Sequence, residues 1–130
     1  MKIFGIGTDI VNIKRMEKSL NKYGNNFKKR IFSKNEINYC ENKKNPSSFY
    51  AKRFAAKEAF SKALGTGFRN GLNFKDISIV NDRFGKPFIK KSNKINNFMK
   101  RKFKTKKINI LLSISDEKKH SVAFVILEKK

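Results

Sequence analysis

The chain has almost none of the side chains from which many protein sites are built. Among 130 residues there is one cysteine, Cys40, and one histidine, His120. A lone cysteine excludes an internal disulfide and a cysteine-built zinc site. A lone histidine leaves histidine-cluster metal centres, and most Ser/His or Cys/His nucleophilic chemistry, without parts. Acid is scarce too: 10 Asp+Glu stand against 32 Lys+Arg, a formal net charge of +22. No apolar run approaches the roughly 20 residues that cross a bilayer. Near the start, Gly5, Gly7 and Asp9 arrive too early for the apolar segment of a secretory signal. These absences lead to the expectation of a reduced, cytoplasmic protein of one domain with a modest core. The excess positive charge attracts polyanions of any kind: nucleic acid, acidic membranes, acidic proteins or phosphorylated metabolites. Lys, Asn and Ile are all over-used, as in proteins encoded by AT-rich genomes, so charge by itself selects no partner.

What is present is organised around one stretch, Arg53-Phe54-Ala55-Ala56-Lys57-Glu58-Ala59-Phe60-Ser61-Lys62-Ala63-Leu64, which ends at Gly65-Thr66-Gly67. Helical spacing gathers Ala55, Ala56, Ala59, Phe60, Ala63 and Leu64 on one apolar arc. The four alanines on that arc allow a close approach to whatever it packs on. Lys57, Glu58, Ser61 and Lys62 share the opposite arc with Phe54. Asn45 and Pro46 mark the start, and Gly65 suits a left-handed cap at the end. On the helix alone the polar arc reads first as a solvated face with a Glu58–Lys62 pair; the alternative is a carboxylate set among cations for chemistry.

Ahead of this helix, Lys2 to Val11 alternates as a strand. Phe4, Ile6, Thr8 and Ile10 fall on one face; Ile3, Gly5, Gly7, Asp9 and Val11 fall on the other. Glycines within a strand mark places where something approaches the backbone closely. Asp9 in so apolar a strand is either a cap or turn residue or the ligand of a cation. Asn12 caps an amphipathic helix through about Tyr23, whose outer side carries a basic ridge of Lys14, Arg15, Lys18 and Lys22. That ridge is a solvated face or a docking surface for an acidic partner. Ser33 and Glu36 form a capping-box pattern for a helix to Glu41. Beyond the glycine loop, Gly65 to Gly71, a hairpin turns at Asp82-Arg83-Phe84-Gly85-Lys86. A helix capped by Ser92 and two closing strands, Ile108–Ser115 and Ser121–Glu128, complete an α+β chain: an antiparallel sheet wrapped on a long central helix.

Three stretches together resemble the bacterial holo-[acyl-carrier-protein] synthases, the small 4′-phosphopantetheinyl transferases. They are Gly5-Ile6-Gly7-Thr8-Asp9-Ile10-Val11, Arg53 to Ala59 running on to Gly67, and Asn81-Asp82-Arg83-Phe84-Gly85-Lys86-Pro87; Ser113-Ile114-Ser115-Asp116 is a weaker fourth. The resemblance implies transfer of the phosphopantetheine arm of coenzyme A to a serine of apo acyl carrier protein, with Mg²⁺ as metal. It implies that Asp9 and Glu58 are catalytic and hold the metal. Phosphoryl transfer needs positioning and charge neutralisation, and Lys57, Lys62 and Arg53 are residues that can neutralise the coenzyme's phosphates. Gly85-Lys86-Pro87 matches a segment near the nucleotide, and the basic ridge falls where the family docks its acidic carrier. The family also forms trimers with sites between subunits. One departure stands out: many members carry a histidine where this chain has Leu111. Activation of the serine is then expected to fall to Glu58 or, preferably, to water on the metal, since ligation lowers the basicity of Glu58.

The rival reading is a small basic nucleic-acid-binding protein. It accounts for charge, phenylalanines and glycine loops, but not for Asp9 in its strand or Glu58 among lysines. The sequence has no helix-turn-helix, aromatic RNA-binding or zinc signature.

Overall fold

A computed structural model describes residues 1–69 and 71–130; Asn70, within the expected glycine loop, lies outside the described residues. The first strand, β1 (Ile3–Asn12), pairs antiparallel with the last, β5 (His120–Lys129). β5 also pairs antiparallel with β4 (Ile108–Asp116), giving a three-stranded sheet in the order β1-β5-β4. Between β1 and β4 run α1 (Ile13–Ile31), α2 (Lys34–Glu41) and α3 (Pro46–Leu64). A short 3₁₀ turn at Phe74–Asp76, the separate hairpin β2 (Ile79–Asn81) and β3 (Pro87–Ile89), and α4 (Asn93–Phe103) follow. Helices and antiparallel strands segregate as expected of an α+β chain.

Local signals account for most of the boundaries. Asn12 accepts a hydrogen bond from the Arg15 N–H and starts α1. Gly24, at φ 60°, kinks α1 where the amphipathic pattern was expected to stop near Tyr23. The Ser33–Glu36 capping box forms, and Gly65 closes α3 at φ 80°. Asn45 makes no side-chain cap, so the start of α3 rests on Pro46 alone. The first strand of the hairpin begins only at Ile79, because Phe74 to Asp76 wind into the 3₁₀ turn.

The inner face of the sheet lies directly on α3. A Cβ on Gly5 would sit 1.9 Å from the Ala63 carbonyl oxygen, and one on Gly7 would sit 1.9 Å from that of Ala59. The strand glycines and the helix alanines are therefore two sides of one close contact. Ala55, Ala59, Phe60 and Ala63 meet Ala123, Val125 and Leu127 of β5 in the main core. On the far side of α3, Tyr50 and Ala51 join Ile13, Met16, Leu20, Phe32 and Cys40 in a second core under α1 and α2. A bulge between Ile3 and Gly5 turns Phe4 inward, where it stacks on Phe103 at 4.8 Å, so the strict alternation expected for β1 fails at its first residues.

A helix covered on both sides keeps little exposed surface, and here the expected polar arc needs correction. Lys57 is 0% exposed and Ser61 is buried, while Glu58 is half-buried and Lys62 is exposed. Covering α3 from both sides leaves only a narrow strip to solvent.

Candidate active site

Asp9 follows Gly7 on the inner face of β1, where the glycine contact holds the strand against α3. Lys62, near the end of α3, reaches across that contact. Its ammonium donates to the Thr8 carbonyl at 2.9 Å and to Asp9 Oδ1 at 3.2 Å. Glu58 lies one helical turn before Lys62. The structure thus brings Asp9, Glu58 and Lys62 together within one chain. The surface pair expected between Glu58 and Lys62 is replaced by an Asp9–Lys62 pair.

The electrostatics of the trio are unbalanced. Burial pushes the Glu58 carboxyl above the usual glutamate range, the negative charge of Asp9 pushes it further, and Lys62 only partly opposes them. Two carboxylates and a single ammonium leave excess negative charge in a strongly positive protein. Such a place attracts a cation. Among the described residues no three or more His, Cys, Asp or Glu side chains gather to form a complete cage. Mg²⁺ suits that deficit, because it is held by one or two carboxylates while substrate phosphates and water supply the remaining oxygens. The donor set fits.

The other expected site residues lie elsewhere. Lys57 as an exposed neutraliser of phosphate is corrected: its ammonium is enclosed and donates to Glu36 Oε1 at 2.6 Å, to the Phe74 carbonyl at 3.0 Å and to the Ile77 carbonyl. Burial pulls this ammonium below the usual lysine range, and the Glu36 carboxylate opposes the shift. Arg53 is also buried. Its Nη2 donates to Asn81 Oδ1 at 2.7 Å, its guanidinium lies 4.2 Å from the centre of the Tyr39 ring, and its Nε has no hydrogen-bond partner among the described residues. Asn81 in turn donates to the Gly85 carbonyl, so Arg53 reaches the hairpin loop through one intermediary. Within that loop the Asp82 carboxylate accepts from the Phe84 and Lys86 N–H groups, leaving Lys86 exposed beside Gly85 and Pro87.

Sequence reasoning missed Glu36 and Asn81 as structural partners. Glu36 is 1% exposed, yet its pattern is that of any capping-box glutamate. Cys40 is fully buried, and burial pushes its thiol up to about 12, so it supplies no thiolate.

The sequence pattern of the 4′-phosphopantetheinyl transferase superfamily matches residues 5–125. This chain belongs to that superfamily. It is 58% identical over 130 residues to a holo-[acyl-carrier-protein] synthase of Pelagibacter ubique, covering 100% of both chains. The crystal structure of holo-[acyl-carrier-protein] synthase from Neisseria meningitidis superposes with a TM-score of 0.88 at 40% identity, covering 98% of this chain and 100% of that one. A Bacillus anthracis holo-(acyl-carrier-protein) synthase in complex with CoA (3′,5′-ADP) gives 0.80 at 40% identity, covering 98% of each chain.

In this superfamily member, Leu111 lies on the outer face of the sheet, 45% exposed and paired with Ile126. His120 pairs across the sheet with Asn12, three residues beyond Asp9, and its Nδ1 is 3.1 Å from Glu117 Oε1. Three strand residues span roughly 10 Å, too far for direct proton transfer at Asp9. His120→Ala is therefore expected to leave the pH–rate profile unchanged. A loss of about 100-fold or more, the scale of a general base, would place the β4–β5 turn in the active site.

Proposed function

We infer that this chain transfers the 4′-phosphopantetheine arm of coenzyme A to a serine of apo acyl carrier protein, releasing adenosine 3′,5′-bisphosphate. The observation that carries this reading is the placement of Asp9, Glu58 and Lys62 together across the Gly5/Gly7 contact, in a chain of this superfamily. Asp9 and Glu58 are the residues that would hold Mg²⁺. When bound, the metal neutralises the pyrophosphate of the coenzyme and orients it for in-line attack. Lys62, exposed and already directed at Asp9, adds positive charge beside the same oxygens. Gly85, Lys86 and Pro87 present an exposed, Asp82-braced loop to the nucleotide, and Arg53 contributes by fixing Asn81 at its foot. The test is the intact mass of apo carrier protein after incubation with this protein, coenzyme A and Mg²⁺. A gain equal to one phosphopantetheine is expected; an unchanged mass would overturn the reading.

The acidic carrier docks, in this proposal, on Lys14, Arg15, Lys18 and Lys22. All four are exposed, and the first three line a shallow cleft of about 380 Å³ with Asn12. Asn12 ends the strand that carries Asp9, so the ridge begins beside the site. Complementary charge steers such an encounter and fixes its register. Reversing Lys14, Lys18 and Lys22 to Glu should raise the KM for carrier protein on the order of 10–100-fold. The KM for coenzyme A and the melting temperature should stay near wild type. Unchanged carrier kinetics would remove the ridge from the mechanism. A nucleic-acid reading of the same ridge leaves the Asp9, Glu58 and Lys62 arrangement without a purpose.

We also propose that the enzyme is a cytoplasmic homotrimer joined through the outer face of the sheet. Ile6 and Ile10 are 61% and 63% exposed there, next to exposed Leu111, Val122 and Phe124. An apolar patch of this kind on a protein so highly charged marks an interaction surface. Sedimentation equilibrium should return three chain masses, and a monomer at all concentrations would overturn this assembly. No helix among the described residues is long and apolar enough to cross a membrane.

A further inference from the structure

The Glu36–Lys57 pair is the most enclosed charged group in the protein, and the chemistry described above does not use it. Glu36 is 1% exposed and Lys57 is 0% exposed. The three N–H donors of Lys57 go to Glu36, to the Phe74 carbonyl and to the Ile77 carbonyl. The carboxylate of Glu36 accepts from the Ser33 N–H at 2.9 Å through Oε1 and from the Ile79 N–H at 3.1 Å through Oε2. Beside it, the Ser33 and Ser78 hydroxyls are 2.8 Å apart. Four segments therefore meet at one buried knot: the start of α2, the middle of α3, the turn from Phe74 to Ile77, and the first residue of β2.

A fold that needed only stability has little reason for this arrangement. Well-packed apolar residues in place of a buried ion pair are often as stable or more so, whereas a polar knot fixes a single arrangement of the parts it joins. The parts joined here have a use. Lys57 precedes Glu58 in α3, and the knot fixes Ile79, two residues before Asn81 and the loop that carries Gly85, Lys86 and Pro87. A second tie runs alongside, from Arg53 to Asn81. Together these set the distance between the carboxylates on one side and the hairpin loop on the other. We propose that Glu36 and Lys57 are positioning residues, which hold the β2–β3 hairpin at the separation from Glu58 that coenzyme A must span. Their role is in binding the coenzyme, through the hairpin, and they touch neither substrate nor metal. This rests on the transferase reading above.

The test compares steady-state transfer by wild type, Glu36→Gln, and the double variant Glu36→Leu/Lys57→Met, with binding of adenosine 3′,5′-bisphosphate measured by calorimetry and folding by thermal melts. The double variant removes both charges at once, so no unpaired ion is left buried. Glu36→Gln keeps the side-chain volume and one acceptor oxygen, but it cannot serve Lys57, Ser33 and Ile79 together. Displaced hairpin contacts to a charged nucleotide weaken its binding on the order of 10–100-fold. The KM for coenzyme A should therefore rise about 10–100-fold in the double variant and by a smaller factor in Glu36→Gln, with kcat within about threefold of wild type. Affinity for adenosine 3′,5′-bisphosphate should fall in step. The KM for carrier protein should not move. A folded variant of either kind that keeps the wild-type KM for coenzyme A would overturn the proposal, and so would a fall in kcat at constant KM. Should the double variant fail to fold, Glu36→Gln alone decides by the same criteria. Absence of transfer by the wild type would instead refute the transferase reading, and nucleotide binding would still report on the knot.

Discussion

Asp9→Ala and Glu58→Ala are each expected to lower phosphopantetheine transfer by well over 100-fold while leaving the fold in place. Loss of a residue that merely supports a metal ligand typically costs 10–100-fold, and these two carboxylates are the proposed ligands themselves. Neither side chain belongs to the two apolar cores, so removing it opens no cavity there. Near-normal turnover by either variant at low Mg²⁺ would sink the assignment. A thermal readout gives an independent check through Glu58→Gln. The folded protein holds the Glu58 proton more tightly than the unfolded chain does, because burial and Asp9 disfavour the anion. The stability linked to that proton is full below the ordinary glutamate range, near pH 4, and is lost as pH rises through the raised folded value. At neutral pH the ionised Glu58 is thus a cost to the metal-free protein. Replacing it with Gln should raise the melting temperature at pH 7 by on the order of a few degrees, with no gain at pH 4. Added Mg²⁺ should stabilise the wild type at pH 7 and leave Glu58→Gln unmoved. Lower stability of Glu58→Gln at pH 7 would show that the carboxylate is satisfied without a cation.

The sequence made the architecture legible because its strongest signals are local. Asn12, Ser33, Pro46, Gly65 and Ser92 each mark an element boundary by their own chemistry, and the structure follows all five. Asp9 and Glu58 stood out because acid is rare in this chain, Asp9 falling in an apolar strand and Glu58 among the lysines of the long helix. Their approach within one chain was not legible, since it depends on which strand packs on α3. Lys57 failed for a related reason. Helical periodicity assigns it to the polar side, and only the second layer of α1, α2 and the 3₁₀ turn reveals that this side is covered too. Its partner Glu36 lies 21 residues away with a complete local role already visible in the capping box. A residue can satisfy one local pattern and still have its larger purpose set by tertiary contacts. The glycines of β1 sit between these cases. Their presence announced a close approach, and the four alanines of the long helix announced a smooth surface, but nothing in either pattern matched the one to the other.

That match supports the largest stability effect expected in this protein. Gly5→Ala and Gly7→Ala should each destabilise by about 3 kcal/mol or more, at or beyond the upper end of the overpacking range. The added methyl meets a helix backbone that has no rotamer to change. At Gly7 it would lie 1.9 Å from the Ala59 carbonyl oxygen and 2.7 Å from the Ala63 nitrogen; at Gly5 it would lie 1.9 Å from the Ala63 oxygen. Relief requires β1 and α3 to separate. Such a shift breaks the packing of α3 on β1 and moves Lys62 and Glu58 away from Asp9. Against a typical total stability of about 5–15 kcal/mol, the double substitution should leave little folded protein at 37 °C. Gly85→Ala provides the contrast. Its φ of 85° is strained for alanine but nothing among the described residues lies within 4 Å of the new methyl, so its cost should be about 1–2 kcal/mol. Trimming the helix side chain should not help, because the obstruction is the peptide carbonyl: Gly7→Ala/Ala59→Gly is expected to be no more stable than Gly7→Ala. Chemical denaturation of the five variants measures each difference. A Gly7→Ala protein as stable as wild type, or rescue by Ala59→Gly, would mean that β1 and α3 do not approach as closely as the geometry requires. The joint placement of Asp9, Glu58 and Lys62 would then lose its structural basis.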